Sequence, residues 1–438
     1  MSDSEDLRRS IMAQVADYYR QVHEENDFVP GKTRVQYAGR VFDERELQNM
    51  VGSALDFWLT AGPEAERFEQ KLGGILGVRE VIPVNAGSSA NLVAVSALCS
   101  KRLRNGLRPG DEVIVPAASF PTTVNPIIQN RLVPVFIDSR LGDYNLDPDY
   151  LEAALSDRTR ALMFAHTLGN PADLDTITDF VRKHNLFLIE DSCDALGSTW
   201  DGKQVGTFGH FGTLSFYPAH HITTGEGGAA FTSSRRLAKI ARSVRDWGRD
   251  CWCGYDNPLN GKCGTRFERQ VPGMPGHYDH RYFYTEIGYN LKITDPQAAI
   301  GLAQLDKLPE FVTRRRTNFA FLYEALVQFE EYLALPEWRD KAEPSWFAMP
   351  ILVRDEAPFT RYEITRFLEG HNVETRPLFA GNILKQPAYQ GIDCRVVGNV
   401  TVSDQIMRSV FFVGVYPGLN RQRLEYMVDV FETFLRKL

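Results

Sequence analysis

Long apolar runs are missing from this chain: no stretch approaches the ~20 residues needed to cross a bilayer. The opening MSDSEDLRRS runs into AQVADYYRQV, which is charged and lacks the apolar core of a signal peptide. A cytoplasmic protein with no membrane partner is expected. An excess of positive charge is also absent. Against 56 acidic residues there are 49 basic ones, a net charge of −7 with no Lys/Arg-rich stripe, so nucleic acid is not an expected partner. Six cysteines in 438 residues are too few for a disulfide scaffold, and a cytoplasm would keep them reduced. Metal or redox chemistry remains as their alternative use. Low-complexity tracts and internal repeats are missing too. What is present is a 43% hydrophobic composition, ample for a buried core and more than one domain.

From about residue 80 to 235, short apolar runs alternate with amphipathic segments: VIPV then NLVAVSALCSKRL, EVIVP, PVFID, RALMFA then LDTITDFVRKH, LFLIED and GTLSFY. This alternation predicts a largely parallel sheet covered by helices on both faces. Such sheets bind ligands beyond the carboxyl ends of their strands. Residues 236–285 break the rhythm with Trp, Gly, Pro and three cysteines, and read as an irregular, functional stretch. Beyond them, ITDPQAAIGLAQLDKLPEFVTRRRTNFAFLYEAL reads as a long helix. The expected divisions are an N-terminal helical segment (1–50), a large domain (51–310) and a small C-terminal α+β domain (311–438).

Three local signals point to chemistry, each with a plainer reading beside it. In VNAGSSANLVAV a strand is expected to end at Asn85 and a helix to open near Ala90. Gly87, Ser88 and Ser89 between them would offer free N–H groups and hydroxyls to a phosphate, although many structural turns look alike. LFLIED puts Asp191 at a strand end beside Glu190, where a carboxylate can hold a pyridine nitrogen or simply cap the strand. Phe120, in PAASFPTT, could stack on a ring or belong to the core.

The segment SFYPAHHITTGEGGAA, 215–230, resembles the sugar aminotransferase and dehydratase family of vitamin-B6 enzymes, which have the aspartate aminotransferase fold. The resemblance runs in order through WLTAGP, NAGSSA, YNLD, NPADLD, IEDSCDALGS and IGYNLKITDPQAAIGLAQL, over nearly the whole chain. It implies an α/β chain of B6-enzyme fold type I, with 51–310 as the cofactor-binding domain. By position, Gly87, Ser88, Ser89 and Ser215 would hold the cofactor phosphate, Asp191 the ring nitrogen and Phe120 the ring face. Asn290 would reach the phosphate in a neighbouring subunit, which implies a homodimer.

The sequence departs from the family at its central residue. Transaminating members read Ser-Phe, three residues, then the lysine that forms a Schiff base with the cofactor. Here that position is His220. Imidazole has no primary amine, but it moves protons near neutral pH. Pyridoxamine phosphate, held without a covalent bond, would then supply the amine, and His220 would act as base in a dehydration. His221 next to it reads as structural. Asp194 is a second departure, since many members carry His or Gln there.

Cys251 follows Cys193 by 58 positions, and Cys253 and Cys263 follow by 2 and then 10. This matches neither a zinc ribbon nor a plant-type ferredoxin, and spacing alone leaves free thiols and a metal site both open. Context adds that Cys193 is two residues from Asp191, about 7 Å along an extended chain. Cys99 and Cys394 read as structural. Histidine for lysine together with these four cysteines resembles the family branch that removes the carbon-3 hydroxyl of CDP-4-keto-6-deoxy-D-glucose toward 3,6-dideoxysugars. That resemblance implies a nucleotide-sugar substrate, pyridoxamine phosphate and a 2Fe-2S cluster held by Cys193, Cys251, Cys253 and Cys263. It also implies electrons from an NADH-dependent flavin iron-sulfur reductase. The competing expectations are a cluster-free dehydratase that recycles its cofactor with glutamate, and an inactive scaffold that keeps the fold.

Overall fold

In the computed structural model, which describes residues 3–24, 28–251 and 266–437, the apolar runs form an eight-stranded sheet. Its order is Glu80–Val84, Gly228–Thr232, Phe211–Ser215, Phe187–Asp191, Thr159–Ala165, Glu112–Pro116, Val133–Ile137 and Arg395–Val396. Gly228–Thr232 is antiparallel to both neighbours, and every other pairing is parallel. The strands read as unbroken apolar runs because both faces are covered. Val113, Val115 and Met163 enter one core with the helix Gly87–Leu98, while Ile114, Leu162 and Phe164 enter another with Leu174–His184. This is the fold expected of type I B6 enzymes.

A second sheet, ordered Leu333–Ala334, Ala348–Val353, Val410–Gly414 and Arg376–Pro377, is antiparallel throughout. The helices Arg361–Gly370 and Arg421–Leu435 pack on it. One 32-residue helix, Asp295–Leu326, joins the two units. Its Leu305, Leu308 and Phe311 belong to a core beside the large sheet, and its Phe319, Leu322 and Leu326 to the core of the small one. Position 310 therefore lies inside a continuous helix. The chain also returns from the small unit to the large sheet, whose edge strand is Arg395–Val396.

Two local expectations need correction. The stretch 236–285 is not irregular from its start, because Arg235–Arg245 is a helix that buries Leu237, Ala238, Ile240, Ala241 and Val244. Its arginines hide an apolar stripe at helical spacing. The helix after Asn85 begins at Gly87, three residues earlier than expected, because its first turn includes the Gly-Ser-Ser segment itself. Among the described residues no helix is long and apolar enough to cross a membrane.

Candidate active site

A cavity of about 370 Å³ opens at the carboxyl ends of the parallel strands, between the two sheets. Gly87, Ser88, Phe120, Asp191, Cys193, Asp194, Ser215 and His220 line it together, so eight of the residues singled out from the sequence converge. Ser89 and Asn290 do not line it. Ser89 is half-buried in the helix Gly87–Leu98, and Asn290 is exposed, its amide oxygen accepting from Lys292 Nζ at 2.6 Å.

At one end of the cavity, Ala86 caps the helix Gly87–Leu98 without any side-chain bond, which leaves first-turn N–H groups free. The turn is packed so tightly that a Cβ on Gly87 would lie 2.5 Å from Ser215 Cβ, 2.9 Å from Ser215 Oγ and 3.1 Å from Cys193 Sγ. A Cβ on Gly228 would lie 2.6 Å from the backbone N of Gly87. Glycine at both places lets the Ser215 hydroxyl sit against the helix start. Ser88 Oγ donates to Thr122 Oγ1 at 3.2 Å. Free N–H groups, small hydroxyls and the positive end of a 12-residue helix are the groups here that could hold a dianionic phosphate.

Strand alternation divides the two neighbouring acids. Glu190 turns away from the cavity and is fully buried, accepting from the N–H groups of Gly206, Phe208 and Gly209 at 2.6–2.8 Å. His166 Nδ1 accepts from Ala172 N, so its Nε2 carries the proton that faces Glu190 at 3.2 Å. Asp191 faces the cavity. Asn91 Nδ2 and the Thr123 hydroxyl each donate to Asp191 Oδ2 at 2.8 Å, and Cys193 N donates to Oδ1 at 3.2 Å. Thr213 donates to Asn91 Oδ1 at 2.6 Å and so fixes which way that amide points. Asn91, Thr123 and Thr213 were not foreseen from the sequence. Their signal was available only as polar residues at apolar positions of predicted helices and strands.

His220 lies on the far side, with 16% of its side chain exposed and Nδ1 3.2 Å from Asp194 Oδ1. Its ring is 5.3 Å from that of Phe347. His221 points the other way, into the interior, with Nε2 2.7 Å from the Ser345 carbonyl, and burial pushes its imidazole well below the usual range. Phe120 caps the helix Pro121–Gln129 and meets Phe379 edge-on at 6.3 Å. Tyr37, Tyr217, Arg376, Phe379 and Phe412 complete the wall without having been anticipated.

Burial beside Asp191 and Asp194 pushes the Cys193 thiol well above its ordinary value. Cys251 follows a segment in which Asp246 bridges to Asn290 and Arg249 to Tyr284, and Cys253 and Cys263 lie outside the described residues. Among the described residues no three His, Cys, Asp or Glu side chains converge in a way that would hold a metal ion. Cys99 and Cys394 pack against the large core, and burial pushes the Cys99 thiol up to about 12.

Comparison with known proteins places this geometry. The chain is 50% identical over 431 residues to the lipopolysaccharide biosynthesis protein RfbH of Salmonella typhimurium, a match spanning 98% of each chain. It is 47% identical over 435 residues to the dTDP-4-dehydro-2,6-dideoxy-D-glucose 3-dehydratase of Saccharopolyspora spinosa, spanning 99% of this chain and 93% of the relative. A solved structure of the E. coli GDP-4-keto-6-deoxy-D-mannose-3-dehydratase with bound hydrated PLP superposes with a TM-score of 0.81. It is 27% identical and the match covers 90% of this chain and 98% of that one. The family model matches residues 41–432, and the chain belongs to the DegT/DnrJ/EryC1/StrS aminotransferase family.

Proposed function

We propose that this chain is a nucleotide-sugar 3-dehydrase that uses pyridoxamine phosphate, and more finely one acting on CDP-4-keto-6-deoxy-D-glucose with a 2Fe-2S cluster. The observation that carries the reading is His220: an imidazole lines the cavity where transaminating relatives have a lysine, while Gly87, Ser88, Ser215 and Asp191 line the same cavity. Two further observations support it. The relatives that are 47% and 32% identical are named as sugar 3-dehydratases, the second acting on GDP-4-keto-6-deoxy-D-mannose in Yersinia pseudotuberculosis. RfbH is named for lipopolysaccharide biosynthesis, a use for dideoxysugars such as those of an O-antigen.

The residues present fit pyridoxamine phosphate. Backbone N–H groups of the Gly87–Ser89 turn and the Ser215 hydroxyl would hold its phosphate, the Asp191 carboxylate its ring nitrogen and Phe120 one ring face. When bound, it supplies the amine that condenses with the sugar ketone and a ring that stores electrons. Asp191 serves that storage by holding a proton on the ring nitrogen, and Asn91 and Thr123 keep the carboxylate in place. His220 takes a proton at Nε2, since Nδ1 faces Asp194. The Asp194 carboxylate gives the resulting imidazolium a counter-charge. With no amine at position 220 there is nothing to displace the sugar by Schiff-base exchange. Dehydration rather than amino transfer follows. Asn290, exposed in the single chain, would complete the phosphate site of a second copy in a homodimer.

Cys193, Cys251, Cys253 and Cys263 are the proposed cluster ligands, and binding iron there requires deprotonating the half-buried Cys193 thiol. A cluster at that place would supply single electrons, drawn from an NADH-dependent flavin iron-sulfur reductase. A second reading has its own support: a GDP-4-keto-6-deoxymannose-3-dehydratase with a trapped PLP-glutamate geminal diamine superposes with a TM-score of 0.80 at 28% identity. On that reading this chain has no cluster and recycles its cofactor with glutamate. Iron and acid-labile sulfide analysis separates the two.

The test of the main reading uses mass spectrometry of the nucleotide sugar. With pyridoxamine phosphate alone, solvent deuterium or oxygen-18 should enter the sugar in a His220-dependent way. Net 3-deoxysugar should form only when NADH and the reductase are added. An aminosugar formed with glutamate as sole donor would identify a transaminase, and an absence of exchange would identify an inactive scaffold.

A further inference from the structure

Arg315 lies in the helix Asp295–Leu326, is 1% exposed, and has no part in the chemistry described above. Its Nη1 donates to the carbonyls of Trp346 at 3.1 Å and Phe347 at 3.0 Å, and its Nη2 to the carbonyl of His220 at 3.0 Å. Its Nε is buried without a partner. All three acceptors are uncharged. Among the described residues the acidic group acting on it is Asp194, and burial pulls the guanidinium down to about 9.

A cation this deep, met only by carbonyls, is costly to desolvate, and an apolar side chain would fill the space at less cost. Packing therefore does not account for it. What the guanidinium spans does. One side of it holds the loop that presents His220, and the other holds the chain entering the small-sheet strand Ala348–Val353. Two of the three residues it ties by their main chains, His220 and Phe347, face each other in the cavity wall at 5.3 Å.

We propose that Arg315 is a positioning residue, whose guanidinium holds the main chains at His220 and Phe347 in one register and so presents residue 220 to the reacting centre beside Asp194. The inference rests on the reading of His220 as the group that moves the proton. It assigns the joint between the two sheets a direct part in placing that group, because the helix bearing Arg315 belongs to both cores.

The experiment uses the full-length protein loaded with pyridoxamine phosphate and compares Arg315→Met with Arg315→Lys. Misplacing a reacting group by about 1 Å costs up to ~100-fold in rate. Arg315→Met should therefore lower kcat for solvent exchange into the nucleotide sugar by roughly 10- to 100-fold. KM for the sugar and affinity for the cofactor should hold. Arg315→Lys, which keeps the charge but cannot reach three carbonyls, should recover part of that rate.

A second readout does not depend on dehydration. His220→Lys loaded with pyridoxal phosphate should develop the visible band of a protonated Schiff base, and adding Arg315→Met should slow its appearance. If the methionine variant does not fold, the His220→Lys/Arg315→Lys pair gives the same comparison. Equal band formation with and without Arg315 overturns the proposal, as does a loss of kcat matched by an equal loss of cofactor affinity. A failure of the functional reading looks different: the unsubstituted protein shows no exchange, while the Schiff-base rates still depend on Arg315.

Discussion

Gly87→Ala tests the phosphate cradle with the least possible change, one methyl group. That methyl would sit 2.5 Å from Ser215 Cβ and 2.9 Å from its hydroxyl, more than an ångström inside ordinary contact for the first of these. Neither neighbour is free to give way. Ser215 ends a central strand paired on both sides, and Gly87 N is itself 2.6 Å from where a Cβ of Gly228 would stand. The strand end and the helix start must therefore separate. Overpacking of this kind costs about 1–3 kcal/mol of stability, against a gain of about 0.5–1 kcal/mol from replacing a helical glycine. Cofactor binding should suffer more. Separation withdraws the Ser215 hydroxyl from the phosphate, and one hydrogen bond to a charged group is worth about 1.5–3 kcal/mol. Affinity for pyridoxamine phosphate should fall roughly 10- to 150-fold. Gly74→Ala is the control, because a Cβ there meets nothing within 4 Å. Cofactor titration by fluorescence and thermal unfolding of both variants decide the matter. Gly87→Ala that bound the cofactor within twofold of the parent and melted with Gly74→Ala would refute the cradle.

Replacing Cys251, Cys253 or Cys263 by serine should abolish iron and net deoxygenation while solvent exchange survives; full iron content in all three variants would end the ligand assignment. Asp143→Asn should stabilise the fold at neutral pH, because burial lifts the Asp143 carboxyl to about 6. A folded value above the unfolded one of about 3.9 means the ionised form is disfavoured on folding, a penalty absent below about pH 4 and fully developed above about pH 6. Denaturant unfolding at both ends should show a gain of up to about 3 kcal/mol at pH 7.5 and little at pH 4; an equal gain at both would remove ionisation as its cause.

Much of the site was legible because it is local. Asp191, Ser215 and the Gly87 turn stand at the ends of apolar strands, and in a parallel sheet those ends share one edge. Alternation along a strand also decides that Asp191 and not Glu190 faces the cavity, although which of the two faces is the open one came from the fold. The substitution of His220 for lysine needed only the six-residue motif that opens at Ser215, read against the family it resembles. Less was legible where a pattern was mixed. Arginines obscured the stripe of the helix Arg235–Arg245, and the helix start at Gly87 was placed late because glycine and serine read first as turn residues.

By itself the sequence determined the strand ends, the helix faces and the chemical identity of the residue at 220, since each depends on side chains a few positions apart. Tertiary structure alone decided what surrounds them. Asn91 and Thr123 reach Asp191 from two helices, and Phe347 meets His220 from the small sheet. Arg315 reaches across 95 positions to the His220 carbonyl. Contacts of that kind depend on how sheets and helices pack, and burial turns each into a strong constraint because an unpaired polar group in the interior costs more than a pairing gains. No periodicity in the chain encodes them.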